Sequence, residues 1–243
     1  MIERALLGVA YPLLVLAIAY LLFARLWRGT RGWVFVGVGY MLLALVIQIP
    51  IQEAPGAALV LTHGLIGAVA AEREWGPALA VYAGVVAGVA QEAAKFFAVK
   101  DREERAALWI GYGFAIIDIA VLIAEVAVAL ITSPNVSLQV VPMVGLILNP
   151  VVSAMFHPGT AMFLRLMQGR GGGAVGLLAT TLAHAYIDSL AAYINYAAAL
   201  AVIGGTGMYD LVGLLWSSSI AISAAFLFVG VRGVGGLPSP SRH

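Results

Sequence analysis

Val89-Ala90-Gln91-Glu92-Ala93-Ala94-Lys95-Phe96-Phe97-Ala98-Val99-Lys100 places a carboxylate and an ammonium three residues apart inside a run that otherwise reads as a membrane-spanning helix. A charged side chain at the bilayer centre costs ~2.5–3.5 kcal/mol on insertion scales, so such groups face a bundle interior or a wet cavity. Gly84 and Gly88 precede Glu92 at four-residue steps. All three share one helix face, and the two missing side chains let a second backbone approach it. This helix reads as one wall of a polar cavity.

The composition sets the environment. Of 243 residues, 62% are hydrophobic and only 10% charged, with a mean hydropathy of +0.99, far outside the soluble range. The chain reads as an all-α, multi-pass protein of the cell membrane. Its 28 glycines suit helices that pack through small residues in lipid. The absence of cysteine removes disulfides, cysteine metal sites and thiol nucleophiles. A net charge of +1 offers no basic surface for nucleic acid, so the expected partners are lipid and a membrane protein or peptide. Glu3 and Arg4 precede the first apolar run without a small-residue cleavage site, so that run reads as a retained span.

At about 20 apolar residues per crossing, seven spans are expected: 6–23, 33–51, 77–99, 106–132, 140–167, 174–195 and 211–231. Segment 57–71, short, glycine-interrupted and carrying His63, reads as a re-entrant or interfacial piece. If it does not cross, Arg25, Arg28, Arg31, Lys100, Arg102, Arg105, Arg165, Arg170, Arg232 and Arg242 fall on one side, with only Arg4 and Arg73 on the other. Basic residues favour the cytoplasmic side. The expectation is therefore a bundle of about seven transmembrane helices, with the N-terminus outside and the C-terminus cytoplasmic. It forms one domain over residues 1–232, followed by a disordered Gly/Pro/Ser-rich tail at 233–243.

Glu92, Lys95, Asp118, Glu125, His157, His184 and Asp188 lie within these spans, away from their ends. A rise of about 1.5 Å per residue from the cytoplasmic end puts Glu92 about 12 Å deep, His157 and His184 about 15 Å, Asp118 about 18 Å and Asp188 about 21 Å. Four helices thus bring acids and imidazoles to one level, in a hollow expected near the inner leaflet. His184 and Asp188 share a face at i, i+4, so Asp188 can fix the His184 tautomer or offer its own oxygen to a substrate or metal. Lys95 shares a face with Glu92. With Glu92 taking a proton from water and a protonated His157 or His184 stabilising an oxyanion, these groups can hydrolyse an amide. The alternative is a zinc ion held by His157 and His184, whose bound water attacks, although no HExxH helix is present. The bland readings are a mutually neutralising Glu92–Lys95 pair that pins helix packing and a structural or pore-lining Glu125. His63 and His243 read as satisfied packing histidines.

Several short motifs then read as familiar: Gln48-Ile49-Pro50, Gln91-Glu92-Ala93-Ala94-Lys95, Gly111-Tyr112-Gly113-Phe114-Ala115-Ile116-Ile117-Asp118, His157, and His184-Ala185-Tyr186-Ile187-Asp188. In order and spacing, from about Arg25 to Tyr196, the chain resembles the YhfC family, within the superfamily of CAAX-protease-like and PrsW-like intramembrane proteases. The resemblance implies a glutamate- or metal-dependent peptidase, with its site on Gln91, Glu92, His157, His184 and Asp188. Two positions depart from the pattern. The acid pair is Gln-Glu instead of Glu-Glu, and Asp118 stands where such sequences tend to have Glu. The Gln-Glu pair, the glycine-rich fourth helix and two later histidines also resemble the Aph subunit of γ-secretase, a scaffold of seven spans. The resemblance thus implies either an intramembrane endopeptidase or a non-catalytic scaffold that binds a partner helix in the same cavity. A transporter fits less well, because no inverted repeat is visible.

Overall fold

The computed structural model describes residues 6–27, 31–132 and 140–235. Glu3, Arg4, Arg28, Arg242 and tail residues 236–243 lie outside the described residues. Among those described, the chain is helices and turns without a strand. A π-helical turn Leu6–Ala10 leads into α1 (Tyr11–Leu26). It is followed by α2 (Trp33–Val99), α3 (Glu104–Thr132), α4 (Val140–Gly169), α5 (Gly173–Ala199) and α6 (Thr206–Gly235). All six numbered helices are long and apolar enough to cross a membrane. The last runs through Gly235, so the first three residues of the expected tail are helical.

As one rod, the 67 residues of α2 would extend about 100 Å at 1.5 Å per residue. They do not, because Gly64 sits at φ 68°, ψ 175°, a region essentially closed to residues with a Cβ. The helix breaks there and folds back. Gln91 Nε2 consequently donates to Gln48 Oε1 at 3.0 Å, and the Tyr82 hydroxyl donates to the Ile51 carbonyl at 2.7 Å. That carbonyl lacks its helical donor because Pro55 stands four residues on. Segment 57–71 is therefore the apex of this hairpin, helical on both sides of Gly64 and continuous with both limbs. Each limb, residues 33–63 and 65–99, outruns the roughly 20 residues needed to cross hydrocarbon. Leu61, Leu65 and Ile66 stand exposed at the apex, beside an exposed His63.

The hairpin, α3, α4 and α5 form a ring. The second limb packs on α5 and the first on α3, while α4 closes the ring between α3 and α5, which make at most marginal contact with each other. Gly84 and Gly88 set the closest approach. A Cβ on Gly84 would lie 2.6 Å from the Ala185 carbonyl oxygen, and one on Gly88 2.9 Å from both the Ala185 nitrogen and the Thr181 oxygen. Outside the ring, α6 lies mainly on α4. On the other side α1 is pinned by Tyr112 donating to the Leu16 carbonyl at 2.8 Å and Tyr11 to the Ile147 carbonyl at 3.0 Å.

Two apolar clusters close the bundle. One end carries Lys100, Arg102, Arg165 and Arg170, with Arg165 donating to the Arg102 carbonyl at 2.6 Å. There Val99, Leu108, Trp109, Ile110 and Leu164 are wholly buried. At the opposite end Ile194, Met208, Val212 and Leu215 join α5 to α6. The polar groups lie between these plugs.

Replacing Gly84 by Leu is expected to force α2 and α5 apart and to destabilise the protein by at least about 1–3 kcal/mol, read as a lowered unfolding midpoint in detergent. Gly39→Ala, on a helix position with nothing within 4 Å of the added Cβ, is expected to be neutral or stabilising by up to about 1 kcal/mol.

Candidate functional site

Glu92 and Lys95 are both fully buried, and their side chains meet at 2.6 Å. The Lys95 ammonium also donates to Thr160 Oγ1 at 2.8 Å, and the Thr160 hydroxyl in turn donates to the Phe156 carbonyl at 2.9 Å. Phe114 and Phe156 flank the ammonium, their ring centres 5.3 and 5.4 Å away. Both ring faces attract the cation where water is excluded. One buried charge pair thereby ties α2, α3 and α4 together.

From this knot the network extends through His184. Its Nδ1 lies 2.8 Å from the same Glu92 oxygen, and its Nε2 lies 3.5 Å from Asp188 Oδ2. With a carboxylate on each side, His184 donates to both only when both nitrogens carry hydrogen. A second acid–imidazole pair stands beside the first. His157 Nε2 is 3.6 Å from Asp118 Oδ2, and the two imidazole centres are 5.7 Å apart, edge to face. Three carboxylates thus face one ammonium and two imidazoles, a set that is electrically neutral when both rings are protonated.

These groups divide by access. Glu92 has no exposed surface, whereas the Asp118 and Asp188 side chains are 34% and 36% exposed. Asp118, His157, His184 and Asp188 line a hollow of about 100 Å³, with Asn149, Val152, Ser153, Ile187, Leu215 and Trp216 also on its wall. At about 30 Å³ per water, it has room for about three waters. The hollow begins at the two histidines and runs toward Asn149 and Ala191, away from the basic end. It occupies the middle of the bundle and the half away from the basic end. Glu92 lies behind His184 and does not reach the hollow, so it cannot itself take a proton from water there.

Of the residues singled out in the sequence, Glu92, Lys95, Asp118, His157, His184 and Asp188 converge. Gln91 does not join them. Its amide points the other way, into a ladder in which Gln91 donates to Gln48 at 3.0 Å and Gln48 to Gln52 at 2.9 Å. Glu125 is exposed and apart from the network. Sequence reasoning missed Thr160, Ser153 and Asn149, although Asn149, Ser153 and His157 fall at four-residue steps along one face of α4. A larger cavity of about 380 Å³, between the hairpin limbs and α5 and lined by Glu53, Glu72, Tyr82 and Tyr196, is distinct from the ion network.

A zinc ion would need a free ring lone pair from each imidazole and further converging ligands. Both nitrogens of His184 face carboxylates, and among the described residues no group of three or more His, Asp or Glu side chains is arranged to hold a metal. The residues as arranged do not fit zinc. No family model, no curated protein and no solved structure matches the chain.

Breaking the buried pair on one side leaves an uncompensated charge in an apolar interior, a loss of about 3–5 kcal/mol. Lys95→Met and Glu92→Gln are each expected to lower stability by that order, while the double variant loses clearly less than the two losses combined. Additive losses in detergent unfolding would show that the two side chains do not interact.

Proposed function

We propose that this chain is an intramembrane peptidase that cleaves a membrane-embedded or membrane-proximal polypeptide with a water held in the hollow. The observation that carries the proposal is the pair of acid–imidazole couples, Asp188–His184 and Asp118–His157, opening from three helices onto one secluded cavity. The bundle would cross the membrane seven times, each limb of α2 counting once. The basic end would face the cytoplasm, as the positive-inside bias requires.

In this mechanism Asp188 takes a proton from the water as its oxygen attacks the scissile carbonyl carbon. His184 holds Asp188 in place and is itself held by Glu92, whose charge Lys95 balances. His157 faces Asp118 through Nε2, and its Nδ1 has no partner in the protein. When both ring nitrogens of His157 carry hydrogen, its Nδ1–H, which no protein group accepts, is the donor that the oxyanion would bond. As the C–N bond breaks, Asp188 returns its proton to the leaving amine. Glu92 thus becomes the anchor of the site instead of its base, and Gln91 has no step to perform.

A second reading, a scaffold that binds a partner helix, draws on the completeness of the Glu92–Lys95–Thr160 knot, which is what a purely structural core would also build. The two separate in one experiment. In proteoliposomes containing a library of synthetic transmembrane peptides, the peptidase reading expects new termini detectable by mass spectrometry. It also expects Asp188→Asn and His157→Gln to slow cleavage by about 10²–10⁴-fold while the fold stays intact. Absence of cleavage by the pure protein, together with stoichiometric co-purification of one membrane protein, would favour the scaffold.

A further inference from the structure

We propose that the cavity between the two limbs of α2 and α5 binds a linear aliphatic diamine in its doubly protonated form. The cavity lies apart from the ion network, so this does not rest on the peptidase reading. Its volume of about 380 Å³ falls among small-molecule pockets, about 300–1,000 Å³. Its walls carry two charges, both negative: Glu53 from the first limb and Glu72 from the second. Every ion pair among the described residues involves Glu92, Asp118 or Asp188, so neither Glu53 nor Glu72 has a counter-charge there. Arg73, the cation next to Glu72 in sequence, is turned instead to the Leu200 carbonyl at 2.8 Å.

The polar groups around these carboxylates are rich in acceptors. Tyr82 spends its hydrogen on the Ile51 carbonyl, which leaves its hydroxyl oxygen as an acceptor. Gln52, Asn195 and Tyr196 add further oxygens to the wall. An alkylammonium carries three donors and no acceptor, so it is the complement of such a wall. Pro55, Leu79, Ala83 and Ala192 supply apolar lining, against which methylene groups can leave water. Charge balance selects two ammonium groups over one, since a monoamine leaves one carboxylate uncompensated. A metal ion fits less well: among the described residues no three acids or histidines are arranged to hold one, and a bare ion would leave most of the cavity unfilled. Because the carboxylates stand on opposite limbs, the bound dication would tie the hairpin together beyond its Gln48–Gln91 contact.

The test titrates the full chain, in an uncharged detergent at low ionic strength, with cadaverine by isothermal calorimetry. Saturable one-to-one binding is expected, together with a raised unfolding midpoint, since the ligand binds the folded chain. Pentylamine is expected to bind at least about tenfold more weakly and pentanediol not at all. Glu53→Gln and Glu72→Gln are each expected to weaken cadaverine at least about tenfold, the size of one charged hydrogen bond. Glu74→Gln, which removes an exposed carboxylate outside the cavity, is expected to leave the affinity unchanged and so controls for general surface charge. If a cavity variant does not fold, Asn195→Leu replaces it, with about a fivefold loss expected from one neutral hydrogen bond. Absence of cadaverine binding overturns the proposal. So do equal affinities for cadaverine and pentylamine, a loss in Glu74→Gln equal to those in the cavity variants, or displacement of cadaverine by calcium chloride at a lower concentration than its own.

Discussion

The contact on which the bundle depends is the 2.6 Å pair between Glu92 and Lys95. In a solvated protein an i, i+3 ion pair is worth a few tenths of a kcal/mol. Here both members are fully buried, inside helices apolar enough to span a membrane, and neither can regain water without disrupting the ring. Their mutual attraction offsets a desolvation cost of several kcal/mol per ion. What remains is met by directional partners, Thr160 and two aromatic faces for the ammonium and His184 for the carboxylate. Each of those partners comes from a different helix than the pair itself. The charge pair therefore fixes the rotation of α3, α4 and α5 about their own axes, which apolar packing in lipid specifies weakly.

That fixing requires close backbones, and glycine supplies them. Gly84 and Gly88 bring α5 against the second limb of α2, so that His184 reaches Glu92 over 2.8 Å. Gly64 acts over a longer range. By reversing α2 it sets Gln48 opposite Gln91, which covers the polar neighbour of Glu92 with a partner amide. The glutamine ladder takes up a hydrogen-bonding group that would otherwise face lipid. This also gives Gln at position 91 a role: its side chain donates to Gln48 Oε1, and a carboxylate has no hydrogen to donate.

The sequence made depth legible and direction much less so. The apolar runs located every helix, though the runs at 33–51 and 77–99 stop well short of Gly64, where the two limbs of α2 meet, and counting residues from their cytoplasmic ends brought Glu92, Asp118, His157, His184 and Asp188 to one level, where the structure joins them. Rise per residue is nearly constant in a helix, so depth survives without knowledge of the partners. Azimuth does not. A soluble helix shows its inner face by the contrast between apolar and polar sides, but a helix in lipid is apolar on both, and the contrast is lost. Hence Gln91 and Glu92, adjacent in sequence, were both assigned to the site, although successive residues point about 100° apart and Gln91 serves a different contact. The order of groups around the hollow, with Glu92 behind and Asp188 in front, was illegible for the same reason. That segment 57–71 is the apex of a helical hairpin follows from the Gly64 dihedral angles, which its short, glycine-interrupted composition does not specify.

The buried carboxylate and the exposed ones differ in what their surroundings allow. A group that exchanges protons must meet water and change charge, whereas a group that organises a bundle must hold its charge constant, since each change would release or impose several kcal/mol on the packing. One carboxylate cannot do both well. Here Glu92 is sealed and Asp188 is a third exposed, with the imidazole of His184 between them. The ring links the sealed acid to the open one, so the polar cluster is a buried ionic core, Glu92 and Lys95, with a partly exposed rim, Asp118 and Asp188. His184 belongs to both, lining the hollow on one side and bonding Glu92 on the other.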